Sequence, residues 1–407
     1  MKEIKLAMIG CGMRGKNILK DAILPLKMAT VFALCDVRAE HLSEAADMVE
    51  KDTGVRPVEY TDYMDAINNE EVNTVIVSTG WEAHNEIAIA AMKAGKAVGL
   101  EVGGAYDIQP CWDLVNTYEE TKTPFMFLEN CCYGKRELMG LNMARKGFFG
   151  TIVHCAGSYR HDLRDSLYQN SINGRYRLKN YLNRNGDTYP THDLGPIAMV
   201  LNLNRGNRML TMSSFASKAC GVRDYVARKY PENEKMKNVQ LKHGDIVHTM
   251  IQCSNGETIL LSLDTTLPTY YSRNFTIRGT YASYEEMTDS IYEDTPECYE
   301  DRHGWARKRS GSADNFETEY QHPIWKKFIE KNVTDGHGGM DYLIFGDFFR
   351  CLLEDKPMPI DVYDAASWMA ITALSEQSIL HGGAPMDIPD FTRGKWHLRK
   401  NEFAIEE

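Results

Sequence analysis

Ile4-Lys5-Leu6-Ala7-Met8-Ile9-Gly10-Cys11-Gly12-Met13-Arg14-Gly15 is the stretch that decides the fold. Its first six residues read as a short buried strand, its glycines as a tight turn, and the residues that follow as an amphipathic helix. A second apolar strand, Thr30 to Cys35, ends in Asp36. Strand, glycine turn, helix, strand and acid together make the layout of a dinucleotide site. Gly10 permits the turn, Gly12 lets backbone approach a pyrophosphate, and Gly15 lets helix and strand pack closely. The new helix points unpaired N–H groups at the phosphates. Asp36 suits a ribose diol and repels a 2′-phosphate, which favours NAD over NADP. The competing reading is a glycine-rich turn in some other α/β protein.

Outward from that stretch, strand and helix keep alternating. Ala39 to Lys51 reads as a helix, Val72 to Ser78 as a buried strand, and Ala83 to Ala94 as a helix. Lys96 to Val102 gives a strand, Ile108 to Thr121 a helix, and Pro124 to Leu128 a fifth strand. The fold class expected is α/β: an N-terminal Rossmann domain, a doubly wound parallel sheet over residues 1–148. Strand ends at Thr79, Glu101 and Asn130 fall on one edge, where such sheets bind ligands. Beyond Gly150 the pattern changes. Thr151 to Tyr159, Met209 to Ser217, Asp245 to Cys253, Thr258 to Thr265 and Asn274 to Gly279 read as strands of an open, mostly antiparallel sheet. They belong to a C-terminal α+β substrate and oligomerisation domain, residues 149–407. Helices are expected near Gly195 to Leu203, Pro323 to Asn332, Gly346 to Glu354 and Ala365 to His381, the late ones able to pack back on the first domain. The polar stretch Glu285 to Phe316 reads as a long surface excursion.

The chain has 407 residues, enough for two domains and a large core. A net charge of −11 argues against nucleic acid and anionic membrane as partners. No apolar run is long enough to span a bilayer. The chain opens directly in its first strand, which predicts a cytoplasmic protein unless an export leader was removed. Ten scattered cysteines without zinc-finger spacing read as buried thiols, and the histidines show no metal-ligand spacing.

Several polar clusters stand at strand ends. Trp81-Glu82-Ala83-His84 offers an aromatic and an imidazole that suit a nicotinamide riboside, or a Trp covering a helix start. Glu101-Val102-Gly103 places a carboxylate able to bind a hydroxyl or a proton, or to start a helix. Asn130 both donates and accepts, which fits a carboxamide or ribose. Tyr159-Arg160-His161-Asp162-Leu163-Arg164 packs five polar or ionisable side chains into six positions, and reads more simply as an exposed salt-bridged loop. Asn185-Gly186-Asp187-Thr188-Tyr189-Pro190-Thr191-His192 leads into an apolar helix. Tyr189 and His192, three apart, suit proton transfer; Thr191 as a helix cap is the plainer account. Tyr270-Tyr271-Ser272-Arg273 suits sugar stacking or strand-edge packing. Gly336-His337-Gly338-Gly339-Met340-Asp341 lines a site or supplies a cap.

Taken together, these motifs resemble a known family. The front end is similar to the glucose–fructose oxidoreductase/inositol dehydrogenase superfamily. There a lysine normally follows the glutamate of this strand end; here Val102 stands in its place. The set Gly10–Gly15 with Met13-Arg14, Trp81 to His84, Glu101-Val102, Asn130 to Gly134, His161 to Arg164, Arg184 to Asp187, Tyr189 to His192, Tyr271 to Arg273 and Gly336 to Asp341 more specifically resembles glycoside hydrolase family 109. Its founding activity is α-N-acetylgalactosaminidase. The resemblance implies that Met13, Arg14, Asp36, Trp81, His84, Glu101, Val102, Asn130 and Tyr189 to His192 contact NAD, beside Gly10 and Gly12. It implies that Tyr159, Arg177, Tyr189 and Tyr271 contact the sugar. The route implied is oxidation at C3, loss of the C2 proton with elimination at C1, addition of water, and re-reduction by the same nucleotide, a recognised exception to two-carboxylate glycosidases. His192 and Tyr189 are the expected acid/base groups, supported by Glu101 or Tyr271. A net NAD-dependent sugar oxidoreductase is the alternative. No metal is expected, and the partners expected are a glycoside and further copies of the chain.

Overall fold

The computed structural model describes residues 1–173, 176–296, 310–330 and 337–404. They fall into two compact units. The first comprises Met1–Gly134, Pro323–Ala366 and Glu402–Glu407; the second comprises Lys135–His322 and Ser367–Asn401.

In the first unit, six strands, β1 (Lys5–Ile9), β2 (Thr30–Cys35), β3 (Val58–Tyr60), β4 (Thr74–Val77), β5 (Ala97–Leu100) and β6 (Phe125–Phe127), form one sheet in the order β3-β2-β1-β4-β5-β6. All its pairings are parallel. Such sheets are covered on both faces, so their strands are apolar throughout rather than alternating. Every residue of β4, β5 and β6 is buried. The strand order reverses between β1 and β4, the switch point where doubly wound sheets open a ligand crevice. Helix Met340–Glu354 buries Phe345, Phe348 and Phe349 in this unit. It comes close because β5 carries Gly99, where a Cβ would stand 3.2 Å from the Phe348 ring and 2.6 Å from Ile76. Strand β3 escapes the sequence reading: it is three residues long, at the sheet edge, with Val58 42% exposed.

In the second unit, eight strands run β13-β12-β11-β7-β10-β9-β8-β14: β7 (Ile152–Arg160), β8 (Met209–Ala216), β9 (Ile246–Cys253), β10 (Thr258–Asp264), β11 (Thr276–Gly279), β12 (Ala282–Glu285), β13 (Ser290–Glu293) and β14 (Met386–Asp387). Only β7 with β10 is parallel; the other pairings are antiparallel. One face is covered and the other open, which the alternation of buried and exposed residues along β9 records. The polar stretch from Glu285 is therefore not wholly an irregular excursion. Ser290–Glu293 pairs with β12 as an edge strand, and Ser312–Phe316 is a turn of 3-10 helix. Its middle, residues 297–309, lies outside the described residues, as do Arg175 and Gly336. Three helices that the sequence pattern does not announce, Arg164–Asn173, Tyr176–Asn183 and Gly221–Lys229, bury their few apolar residues in one cluster of Leu167, Tyr168, Leu178, Tyr181, Val222, Val226 and Met236. Among the described residues, no helix is long and apolar enough to cross a membrane.

Candidate active site

Within the first unit, the expected nucleotide residues stand at carboxyl ends of strands. Gly10 follows β1 with φ +97°, and a Cβ there would lie 2.3 Å from the Ser78 carbonyl oxygen. Its N–H donates to Cys35 O at 2.8 Å, which ties the turn to β2. A Cβ at Gly15 would lie 2.1 Å from Gly10 O, so helix Met13–Ile18 sits directly on the turn. Over Gly12, by contrast, a Cβ would meet nothing nearer than the His41 ring at 3.9 Å. The open space above Gly12, beside a helix N-terminus whose first N–H groups have no intrahelical acceptor, fits a pyrophosphate. Asp36 is fixed at the mouth: Oδ2 accepts from the Cys11 N–H and Oδ1 from the Arg38 N–H, both at 2.8 Å. Met13 is 63% exposed beside the turn.

After β4, Trp81 and His84 are buried, and Gly103 lets both rings close in: a Cβ there would lie 2.7 Å from Trp81 and 3.3 Å from His84. His84 Nε2 pairs with Thr79 O at 3.1 Å. Burial pushes this imidazole down to about 4, so it is neutral at physiological pH. Val102 is buried and has no proton to exchange. Glu101 and Asn130 meet through a third element. Arg14 donates to Glu101 from Nε at 3.2 Å and from Nη2 at 2.9 Å, and to Asp341 from Nη1 at 2.6 Å and Nη2 at 3.0 Å. Asn130 Nδ2 donates to Asp341 Oδ1 at 2.8 Å, and His337 Nδ1 lies 2.7 Å from Asp341 Oδ2.

Within the second unit, Tyr159, Arg177, Tyr189, His192 and Tyr271 come together, joined by His161. Strand β7 carries Gly157, where a Cβ would lie 2.7 Å from Asp193 Cβ. The first turn of helix Thr191–Val200 can therefore descend onto the strand and bring His192 to Tyr159. Pro190 is the N-cap of this helix, not Thr191, which is fully buried inside the first turn. Ring centroids lie 4.7 Å apart for Tyr159 and Tyr189, 5.5 Å for Tyr159 and His192, and 4.8 Å for Tyr189 and His192. Tyr271 is brought in by a backbone bridge from Ser272 to Arg160, 3.1 Å in each direction. Its ring stands 6.3 Å from Tyr159 and 5.2 Å from His161.

Charge organises this cluster. The Arg177 guanidinium sits 5.5 Å from the Tyr189 ring centroid. Burial opposes its charge, but the phenols of Tyr159, Tyr176, Tyr181 and Tyr189 hold it above its ordinary value. Burial, then Arg177, pushes the His161 imidazole down, and the Tyr159 hydroxyl lies 3.0 Å from His161 Nδ1. A neutral His161 can accept that phenolic proton. Behind the cluster, Tyr181 stacks on His243 at 4.2 Å and bonds Thr265 Oγ1 at 2.6 Å. Burial pushes His243 down to about 4. Asp187, 1% exposed, donates its N–H to Ser375 Oγ at 2.7 Å, and among the described residues its Oδ2 meets no hydrogen-bond partner. Burial pushes this carboxyl up to about 7.

His161 was not singled out as a site residue by the sequence, which left Asp341 between lining a site and capping a helix. Both lie in motifs quoted there, but their partners are assigned only by the fold. Residues 133–398 match the glycosyl hydrolase 109 C-terminal domain, and residues 4–127 match the NAD-binding Rossmann fold of the oxidoreductase family. A glycosyl hydrolase family 109 protein of Stenotrophomonas maltophilia is 39% identical over all of this chain and 92% of its own length. An alpha-N-acetylgalactosaminidase of Tannerella forsythia is 37% identical over 99% of this chain and 89% of its own. Among solved structures, a levoglucosan dehydrogenase in complex with NADH and levoglucosan shares the fold, with TM-score 0.68, 18% identity, and coverage of 95% of this chain and 100% of that one. The chain belongs to glycosyl hydrolase family 109, a glycoside hydrolase carrying a nicotinamide-nucleotide-binding Rossmann domain of the dehydrogenase kind.

Proposed function

We propose that this enzyme hydrolyses α-N-acetylgalactosaminides or closely related glycosides with a retained NAD. The observation that carries the reading is the cluster of Tyr159, His161, Tyr189, His192 and Tyr271 around Arg177. It gathers phenols and imidazoles able to take and return protons, groups suited to a route other than the two-carboxylate one. Gly10, Gly12, Met13, Arg14 and Asp36 would hold the nucleotide, with Trp81, His84, Glu101, Val102 and Asn130 shaping the strand ends beside it. NAD bound there would supply a reversible hydride acceptor for the sugar and end each cycle as it began, so that the net reaction is hydrolysis.

The chain's own groups handle the protons. His192 takes the proton of the C3 hydroxyl and returns it at the end of the cycle. Tyr189, its phenolate favoured by the Arg177 guanidinium, removes the proton from C2 as the C1–O bond breaks; water then adds its hydroxyl at C1 and gives its proton to the departed oxygen, and Tyr189 returns the proton to C2. Tyr159, bonded to neutral His161, and Tyr271 hold the sugar through their hydroxyls and ring faces. Glu101, gripped by Arg14, supports from the strand end, and Val102 leaves no lysine to assist a net dehydrogenation.

Purified protein, offered aryl α- and β-glycosides of GalNAc, GlcNAc, Gal and Glc without added cofactor, tests this. Release of the aryl group from the α-GalNAc substrate, no net NADH and solvent deuterium at C2 of the product are expected. One NADH per sugar, with ketosugar released, would establish the sugar oxidoreductase instead.

A further inference from the structure

We propose that His337 and Asp341 form a clasp that retains the nucleotide, with Asp341 as a positioning residue acting through Arg14, Glu101 and Asn130. The proposal rests on the retained-cofactor reading above and concerns the first unit alone. Asp341 is 1% exposed, and each of its carboxylate oxygens accepts two hydrogen bonds. Oδ1 takes Arg14 Nη2 at 3.0 Å and Asn130 Nδ2 at 2.8 Å; Oδ2 takes Arg14 Nη1 at 2.6 Å and lies 2.7 Å from His337 Nδ1. Arg14 is equally committed. Its N–H groups reach Glu101 from Nε and Nη2 and Asp341 from Nη1 and Nη2.

The consequence follows from where these partners stand. Arg14 is in the first turn of the helix after the glycine turn, Glu101 follows β5, and Asn130 follows β6. One buried carboxylate thus cross-links three parts of the sheet edge along which a dinucleotide lies. A nucleotide that leaves every turnover needs that edge free to open; one that is recycled is best served by an edge held shut. The turn that delivers Asp341 is itself fixed. Gly338 and Gly339 have φ of +68° and +101°, and a Cβ at Gly339 would lie 2.3 Å from the Phe328 ring. His337 is the accessible arm of the clasp, its side chain 51% exposed.

The test is the rate at which bound NAD exchanges with added isotope-labelled NAD, read by mass spectrometry after desalting, beside the melting temperature. Asp341→Asn keeps the shape and removes the charge that Arg14 and His337 answer; exchange should accelerate ~10- to 100-fold, the range for losing charge-assisted hydrogen bonds. Its activity should become dependent on added NAD, which a purely structural defect would not produce. His337→Ala removes only the exposed arm, so it reports even if the buried substitution impairs folding, and its exchange should accelerate by about tenfold or less. Wild-type retention with unchanged exchange in both variants overturns the clasp and leaves the retained-cofactor reading intact. A wild type that exchanges NAD freely overturns that reading, and the clasp with it.

Discussion

The division of labour between Tyr189 and His192 is decided at single side chains. Their rings are 4.8 Å apart and nearly perpendicular, and the Arg177 guanidinium stands 5.5 Å from the Tyr189 ring centroid. Tyr189→Phe should therefore abolish exchange of the C2 proton with solvent deuterium. His192→Gln should lose turnover of the glycoside yet keep C2 exchange when the 3-keto sugar is supplied directly, whereas Tyr189→Phe loses exchange with either, each loss being roughly 100- to 10,000-fold, as for general acid–base groups. Equal loss of exchange in the two variants would reverse or merge the assignments. Tyr189 and His192 were legible in the sequence through their spacing of three and, above all, through the family motif that the segment resembles. His161 was not, because its value comes from Tyr159 two residues earlier on a strand end and from Tyr271 across a bridge more than a hundred residues away.

At the scale of elements, the glycine turn separates fold from function within three residues. Gly10 and Gly12 look alike in sequence, and both were assigned to the nucleotide. In the structure, Gly10 has φ +97° and the Ser78 carbonyl 2.3 Å from where a Cβ would be, whereas Gly12 faces open space to 3.9 Å. Gly10→Ala should destabilise the protein by at least about 2 kcal/mol, since both the backbone and a neighbouring strand end must give way. Gly12→Ala should leave urea unfolding of nucleotide-free protein within about 0.5 kcal/mol of wild type while sharply lowering NAD content. A large stability loss at Gly12 would mean that its role is structural. The parallel core was readable because strands buried on both faces are apolar runs. Helices Arg164–Asn173, Tyr176–Asn183 and Gly221–Lys229 were not, because each contributes only two buried residues to their shared cluster, too few to set a period.

Across the whole molecule, the buried ionisable groups predict an unusual acid response. His84 in the first unit and His243 in the second are both pushed down to about 4 by burial. Between that value and the ordinary 6.5, the unfolded chain binds protons that the native state refuses, so stability is lost as pH falls through this window. His154 and His161, shifted the same way, add to the loss. Asp187 acts in the opposite sense. Raised by burial to about 7, it is protonated in the native state where the unfolded chain has already ionised, so from about 4 to 7 it makes stability fall as pH rises. His84, His243 and Asp187 alone leave a net slope of one proton, on the order of 1 kcal/mol of stability gained per pH unit between about 4.5 and 6. Asp187→Asn, which keeps the shape of a group whose Oδ2 has no partner among the described residues, should steepen that slope toward two protons and raise stability at pH 8. His243→Gln should flatten it. Urea unfolding midpoints across this range check both, and an unaltered slope in Asp187→Asn would mean that the carboxyl is ionised in the native state, held by a charge that its surroundings do not explain.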